Sequence, residues 1–584
     1  MLLRLLRPRL RTYRGPLAAI VFLQLVQTAA ALYLPTLNAD IVDDGIVKGD
    51  TRRVVVLGGL MIVTSVVQFA GLFGAGYFSA RTASRIGGDV RAALFDRVQE
   101  FSGREMGHFG VPSLVMRTTN DVQQVQTFVM TTLSMAVFAP MMGFGSVLMA
   151  LHQSVQLSGL LLVVVPALGA VIVAIVVKAL PMVKRMAVSG DRLGRIMREQ
   201  IIGVRVVRAF VREEHERVRF ARAGDELYEA ALGSGRAMSL MFPSVVAVIN
   251  LAAIVILWFG AHRIADGSMQ VGMLAAFLIY LMQVLLAVMT ATFVLVMLPR
   301  AQLSATRLQQ VLDTPTSLTP AAAPVAVLPE PGLLELTNVE FRYPGAEQPV
   351  LRDICLTARP GETVAIIGGT GSGKSTLLNL IARLLDATGG RVAVGGTDVR
   401  DLDPAVLARA VSYVPQRAYL FAGTIASNLR YGDPDATDDE LWHALEVAEA
   451  RDFVERLPDG LNTATRQGGT TLSGGQRQRL AVARALVRRA DVYLLDDPFS
   501  ALDYATDSAL RAALLAESSG ATVVIVAQRV STVRDADRIV VLDEGQVVGV
   551  GRHQDLMTTN EVYREIALSQ LDGQETVGPA ARRS

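Results

Sequence analysis

Eight consecutive residues, Gly368-Gly369-Thr370-Gly371-Ser372-Gly373-Lys374-Ser375, fit the pattern G-x-x-x-x-G-K-[ST]. They follow a strand-forming run, 363–367, and lead through Thr376 into a helix-forming one, 376–385. In that setting glycines let backbone N–H groups turn inward at a helix N-terminus, where an anion is favoured. Lys374 then reaches the outer phosphates of a nucleotide, and the Ser375 hydroxyl takes a Mg2+ position. Only four of the 56 basic residues are lysines, and one of the four stands here. A second segment, Val492-Tyr493-Leu494-Leu495-Asp496-Asp497, reads as a buried strand ending in two carboxylates, of which Asp496 suits the hydration shell of Mg2+. The expected cofactors are ATP and Mg2+.

The elements that must carry this chemistry fall into two unlike halves. Across 584 residues, 51% are hydrophobic and 19% charged, against about 25% charge in ordinary soluble domains. That balance excludes a disordered, collagen-like or disulfide-scaffold protein. The net charge of +2 lacks the concentrated basic face of a nucleic-acid binder, so no nucleic-acid partner is expected. A single cysteine, Cys355, forbids an intramolecular disulfide and reads as a small buried strand residue.

Crossing a bilayer takes about 20 apolar residues. Six such runs precede residue 300: 17–34, 54–80, 122–151, 157–177, 237–261 and 271–299. Arginine placement orients them. Residues 1–16 hold Arg4, Arg7, Arg9, Arg11 and Arg14, and the long loops 81–121 and 181–236 are rich in Arg. The N-terminus, both long loops and everything after span 6 are therefore expected in the cytoplasm, with the chain multi-pass in the inner or plasma membrane. Both loops show helical spacing and read as helices continuing out of the bilayer. Gly110 and Pro112 break the first near its tip, and the tip of the second, 210–220, brackets charges between aromatics as a docking helix would.

The expected domains are a transmembrane domain over 1–312, a Pro/Ala-rich linker over 313–332, an α/β P-loop domain over 333–570 and a disordered tail over 571–584. The fold class is thus a six-span α-helical membrane domain followed by an α/β nucleotide-binding domain.

A further motif carries a family resemblance. Leu472-Ser473-Gly474-Gly475-Gln476, followed by RQRLAVARA, resembles the signature of ATP-binding-cassette (ABC) proteins. The surrounding order is similar to that family as well: Tyr343 for adenine stacking, the Walker A loop 368–375, Gln416 in YVPQ, the signature, Walker B at 492–496, and the D-loop 500–503 with Ser500 and Asp503. Six spans ahead of the cassette resemble an exporter-type half-transporter (type I exporter, type IV in newer naming). The resemblance implies that Gln416 joins Ser375 and Asp496 at Mg2+. It also implies that ATP is clamped between one subunit's Walker A loop and the other's signature, and that the loop near 210–220 docks on the partner's cassette.

Three positions depart from the family. The residue after Walker B is normally Glu and is here Asp497; the switch-loop residue is normally His and is here Gln528; the loop before the signature usually offers Glu and here has Gln467. A carboxylate shortened by one methylene retreats by roughly 1.3–1.5 Å, and misplacement of about 1 Å costs on the order of a hundredfold in rate. Gln528 can hydrogen-bond but cannot become cationic. The expectation is a degenerate ATP site in one half of a heterodimer, with Lys374, Asp497 and Gln528 as catalytic positions that turn over slowly. The intact signature would complete the competent site of the second half-transporter.

Uncharged spans point to a hydrophobic or amphipathic substrate, drug or lipid-like, beside membrane lipid. Gln24, Gln27, Gln68, Asn250 and Gln283 are candidates to line its cavity, since polar groups facing lipid are costly. An importer of a lipid or siderophore-like substrate and a regulatory or channel-like subunit are the alternatives.

Overall fold

The computed structural model describes residues 1–135 and 137–575, with side chains through Gln570. The chain divides into two compact units, Met1–Gln99 with Val111–Thr314, and Glu100–Gly110 with the residues from Pro315 on.

Among the described residues, the first unit holds six helices or helix pairs long and apolar enough to cross a membrane. Span 1 is Arg14–Asp40, span 2 Thr51–Gln99 and span 4 Leu161–Ala209. Span 5, Met241–Ala265, continues the charged helix Glu213–Ser239, and span 6 is Val271–Asp313. Spans 2, 4 and 6 run 43 to 49 residues, far beyond the ~20 that a bilayer needs, so each extends into water as its helical spacing implies. Span 3 comes in two pieces, Val122–Met135 and Phe138–Gln153. Gln24 of span 1 bonds to the backbone of span 3. Its amide nitrogen donates to the Leu133 carbonyl at 2.6 Å and its oxygen accepts from the Val137 N–H at 3.2 Å. Gln24 is therefore buried and satisfied by backbone rather than turned to a cavity.

The second loop tip differs from expectation. No separate docking helix forms: the chain turns at 210–212 between two long helices and leaves Phe210 and Val211 strongly exposed. Val211 has φ +52°, a conformation costly for a β-branched residue.

In the second unit a short helix, Gly103–Phe109, is closed by a capping box of Ser102 and Glu105. The following linker holds it: Thr316 donates to the Glu100 carbonyl at 2.7 Å, and the Ser102 and Ser317 hydroxyls lie 2.8 Å apart. The cassette proper has two sheets. An antiparallel one has the order β2-β1-β4-β5, from Leu351–Ala358, Leu334–Phe341, Gly389–Val394 and Thr397–Asp398. The other runs β12-β11-β3-β10-β9-β6, from Gln546–Gly551, Arg538–Asp543, Thr363–Ile367, Thr522–Val526, Val492–Asp496 and Val411–Val414. A small ribbon pairs β7, Gly423–Thr424, with β8, Ala464–Thr465. Strands β9 and β10 are buried at every position, as parallel strands covered on both faces must be, which explains their unbroken apolar runs.

Cys355 lies in β2 as expected but is exposed, its thiol 3.2 Å from the Asn338 side-chain oxygen, because it falls on the outward side of an alternating strand. The last helix, Glu561–Glu575, takes in the start of the expected tail; 576–584 lie outside the described residues.

Candidate functional site

β3 ends at Ile367 and the helix Lys374–Ile381 begins seven residues later, so the glycine loop spans the end of a central parallel strand. Gly371 and Gly373 adopt φ of +87° and +99°, which side chains resist. Gly368 is fixed by crowding instead: a Cβ there would lie 2.0 Å from the Leu542 carbonyl oxygen of β11. Gly369 and Gly371 have open space on the side where a Cβ would project. Ser372 is buried, and Thr370 completes the turn. Lys374 is buried and its ammonium donates to the Gly368 and Gly369 carbonyls at 2.8 and 2.7 Å. Burial lowers its pKa, while Asp496 and Asp497 nearby push it back up. An ammonium held on loop carbonyls beside two carboxylates is poised for a polyanion, so this donor set fits a triphosphate.

Parallel pairing of β9 with β10 places Asp496 opposite Val526, two residues before Gln528. Burial raises Asp496 above the usual carboxylate range, against hydrogen bonding from Ser375. The same holds for Asp497, against hydrogen bonding from Gln416. Ser375, Gln416 and Asp496 are thus gathered around one strand end, an oxygen-rich set suited to Mg2+. Asp497 itself has φ +49°, left-handed backbone that Asp tolerates better than most residues. Gln528 donates from Nε2 to Asp497 Oδ2 at 3.2 Å. Two of the three positions that depart from the family therefore touch each other.

Tyr343, on the loop after β1, is 40% exposed, and its hydroxyl lies 3.2 Å from that of Thr376 in the helix after the glycine loop. Its ring stands beside the phosphate loop, open to a base.

The signature is a helix cap. Ser473 heads the helix Gly474–Val487 in a capping box with Gln476, whose Oε1 accepts from the Ser473 N–H at 2.9 Å. Leu472 offers its carbonyl to Arg477 at 2.7 Å. Gly475 packs on the D-loop, where a Cβ would lie 3.0 Å from the Ala501 carbonyl. The Ser500 hydroxyl donates to the Asp497 carbonyl at 2.9 Å, and Asp503 caps the helix Tyr504–Glu517. Signature, D-loop and Asp497 thus form one contiguous strip, whose Asp497 end lies close to Lys374. Gln467 lies in a short 3₁₀ turn ahead of the signature. One residue escaped the sequence reading: Gln570, near the chain's end, accepts from the Val530 N–H and donates to the Gln528 carbonyl, both at 2.8 Å, clamping the switch loop. A separation of 42 residues in sequence carries no signal for that contact.

Residues 17–288 match the family model of the ABC transporter transmembrane region, and 351–500 that of the ABC transporter cassette. The chain is 48% identical to an uncharacterized ABC transporter ATP-binding protein of Mycobacterium tuberculosis, over 98% of both chains. The chain belongs to the ABC transporter family. It is 32% identical to a multidrug efflux ATP-binding/permease protein of M. tuberculosis, over 93% of this chain and 45% of that longer protein. It is also 32% identical to an ATP-dependent lipid A-core flippase of Syntrophus aciditrophicus, over 88% of this chain and 85% of the relative. Its fold matches that of a bacterial Atm1-family ABC exporter with ATP bound, with a TM-score of 0.81, 23% identity and 99% coverage of each chain. This ABC transporter is a multi-pass membrane protein that binds ATP and couples it to transport.

Proposed function

We propose that the chain is one half of a heterodimeric exporter of hydrophobic or amphipathic molecules and that its own Walker A site holds ATP while hydrolysing it slowly. The observation that carries this reading is the 3.2 Å hydrogen bond from Gln528 to Asp497. A competent site needs a carboxylate free to orient the attacking water and a switch residue free to reach the γ-phosphate. Here the carboxylate is short and its acceptor oxygen is engaged by the switch residue.

In this reading Tyr343 stacks the adenine, the amides of 368–376 and Lys374 hold the phosphates, and Ser375, Gln416 and Asp496 hold Mg2+. Mg2+ when bound neutralises charge on the phosphates. Ser473 and Gly475, at a helix N-terminus, present N–H groups to the phosphates bound by the second subunit. A groove of about 540 Å³ in the cassette, lined by Tyr419, Phe421, Tyr431, Arg383, Arg484 and Arg488, suits the cytoplasmic loop of that second subunit. Its aromatic and basic walls would take the apolar and acidic members of such a loop, which in this chain carries Phe210, Val211, Glu213, Glu214 and Glu216 among Arg212, Arg217 and Arg219. The uncharged spans and the names of the two relatives, a multidrug efflux protein and a lipid A-core flippase, support a drug-like or lipid-like cargo. N-terminus and cassette then lie in the cytoplasm, and ATP binding shifts the spans between inward-open and outward-open states.

The test is ATPase and vesicle transport by the purified chain alone and co-purified with a second half-transporter that carries Glu after Walker B and His in the switch loop. The pair should exceed the lone chain at least about tenfold in turnover, the scale of a displaced catalytic group. A lone chain as active as the pair would remove the heterodimer from this account.

A further inference from the structure

Proline lacks an N–H, so Pro35 inside span 1 leaves the Ala31 carbonyl without its helical donor. In hydrocarbon such a group must find another partner. It finds one on span 6: Gln283 Nε2 donates to the Ala31 carbonyl at 3.1 Å. The Gln283 oxygen in turn accepts from the buried Ser146 hydroxyl of span 3 at 3.0 Å, so both ends of the amide are satisfied. One turn away the Tyr280 hydroxyl donates to the Leu32 carbonyl at 3.0 Å and lies 2.8 Å from the Thr36 hydroxyl. Tyr280 is fully buried.

Further along the same seam Asp43, buried in the turn after span 1, accepts from the N–H groups of Gly272 and Met273 at 2.7 and 3.1 Å. Those are first-turn amides of span 6, which have no partner inside their own helix. Gly272 permits the approach: a Cβ there would lie 2.4 Å from the Ala39 carbonyl and 2.5 Å from Asp43 Oδ2. The pairs 43 with 272, 36 with 280 and 31 with 283 keep one antiparallel register along about 18 Å of span 1. Each tie meets a backbone or hydroxyl group that a helix cannot satisfy alone.

We propose that this seam is a latch which keeps spans 1 and 6 together at the end of the membrane domain reached by the C-terminal part of span 1, and that its release opens the cavity on that side. The proposal rests on the alternating-access reading above. Groups on one span satisfy orphaned groups on the other only while the two are in contact, so separation leaves the Ala31 carbonyl and two N–H groups to be met by water entering the opened cavity. Gln283, a cavity candidate by sequence, acts as a positioning residue for the kinked span, and its amide becomes free to meet cargo only when the latch is open.

The test uses the full chain co-purified with a second half-transporter in lipid nanodiscs, with Cys355→Ser and spin labels on Val47→Cys and Val271→Cys, two exposed positions flanking the seam. Only this chain is labelled, so the distances read lie within one chain. Distances are measured without nucleotide and with ATP and vanadate. In the parent chain the nucleotide-free distribution should be short and the nucleotide-bound one longer. A hydrogen bond between membrane helices contributes about 0.6–2 kcal/mol, so Gln283→Met and Tyr280→Phe should each shift the nucleotide-free ratio toward the long distance by roughly threefold to thirtyfold. Thr64→Val, which removes a hydroxyl bonded within span 2, should leave the ratio unchanged. Should Gln283→Met fail to fold, Tyr280→Phe and Asp43→Asn carry the measurement. A double variant, Gln283→Met with Tyr280→Phe, that keeps the parent ratio overturns the latch while leaving alternating access intact. A parent chain whose distance ignores nucleotide overturns alternating access, and the latch with it.

Discussion

Lengthening Asp497 by one methylene should restore hydrolysis. The Asp497 carboxylate is reached by Gln528 at 3.2 Å and by hydrogen bonding from Gln416, on a backbone held at φ +49°. Asp497→Glu advances the carboxylate by about 1.3–1.5 Å, and recovery of alignment on that scale is worth up to about a hundredfold in rate, or ~2.7 kcal/mol. Glu tolerates left-handed backbone less well than Asp, a cost of about 1 kcal/mol set against that gain. The expected outcome is a rise in kcat of roughly tenfold to a hundredfold with KM for ATP nearly constant, since Tyr343, Lys374 and the glycine loop are untouched. Gln528→His alone should change kcat by less than about threefold, because the short carboxylate still limits positioning. Together the two should exceed the product of the single effects, because the residues touch and direct contacts couple by about 0.5–3 kcal/mol. The assay is steady-state phosphate release by the purified chain in nanodiscs at saturating Mg-ATP. An Asp497→Glu variant within twofold of the parent would refute the claim that carboxylate reach limits this site.

Further outcomes follow from the same geometry. Gly368→Ala places a Cβ 2.0 Å from the Leu542 carbonyl and should destabilise the cassette by at least about 2 kcal/mol, read as a lower melting temperature or loss of soluble cassette. Burial raises the folded-state pKa of Asp496 and Asp497, so their contribution to cassette stability is fully present below the ordinary carboxylate pKa and lost as pH rises through the raised values. Stabilisation by Mg-ATP, which offsets that loss, should accordingly be larger near pH 7.5 than near about pH 5; a thermal shift equal at both would contradict this. Cys355 is exposed, so the native chain should take up one equivalent of a maleimide within minutes without denaturant, as counted by intact mass.

Much of this protein was legible before folding because its signals are local. The eight residues 368–375 fix a loop whose geometry depends on glycine dihedrals and a following helix, both of which neighbouring residues dictate. Six apolar runs announce six spans because a bilayer demands length and uniformity, and no tertiary contact changes that demand. The capping residues Ser473 and Asp503 act within three positions of themselves. Exposure and partnership were not legible. Alternation along β2 left open which side Cys355 occupies until the neighbouring strands were in place. Gln24 and Gln283 look alike in sequence, yet one bonds two backbone groups of span 3 and the other answers a proline 248 positions away. The clamp of Gln570 on the switch loop and the bond between Gln528 and Asp497 likewise join residues that the chain itself separates. Local chemistry is written in spacing; which buried polar group meets which is decided only when distant segments pack, because the cost of leaving such a group unmet falls on the whole fold and not on any one stretch of it.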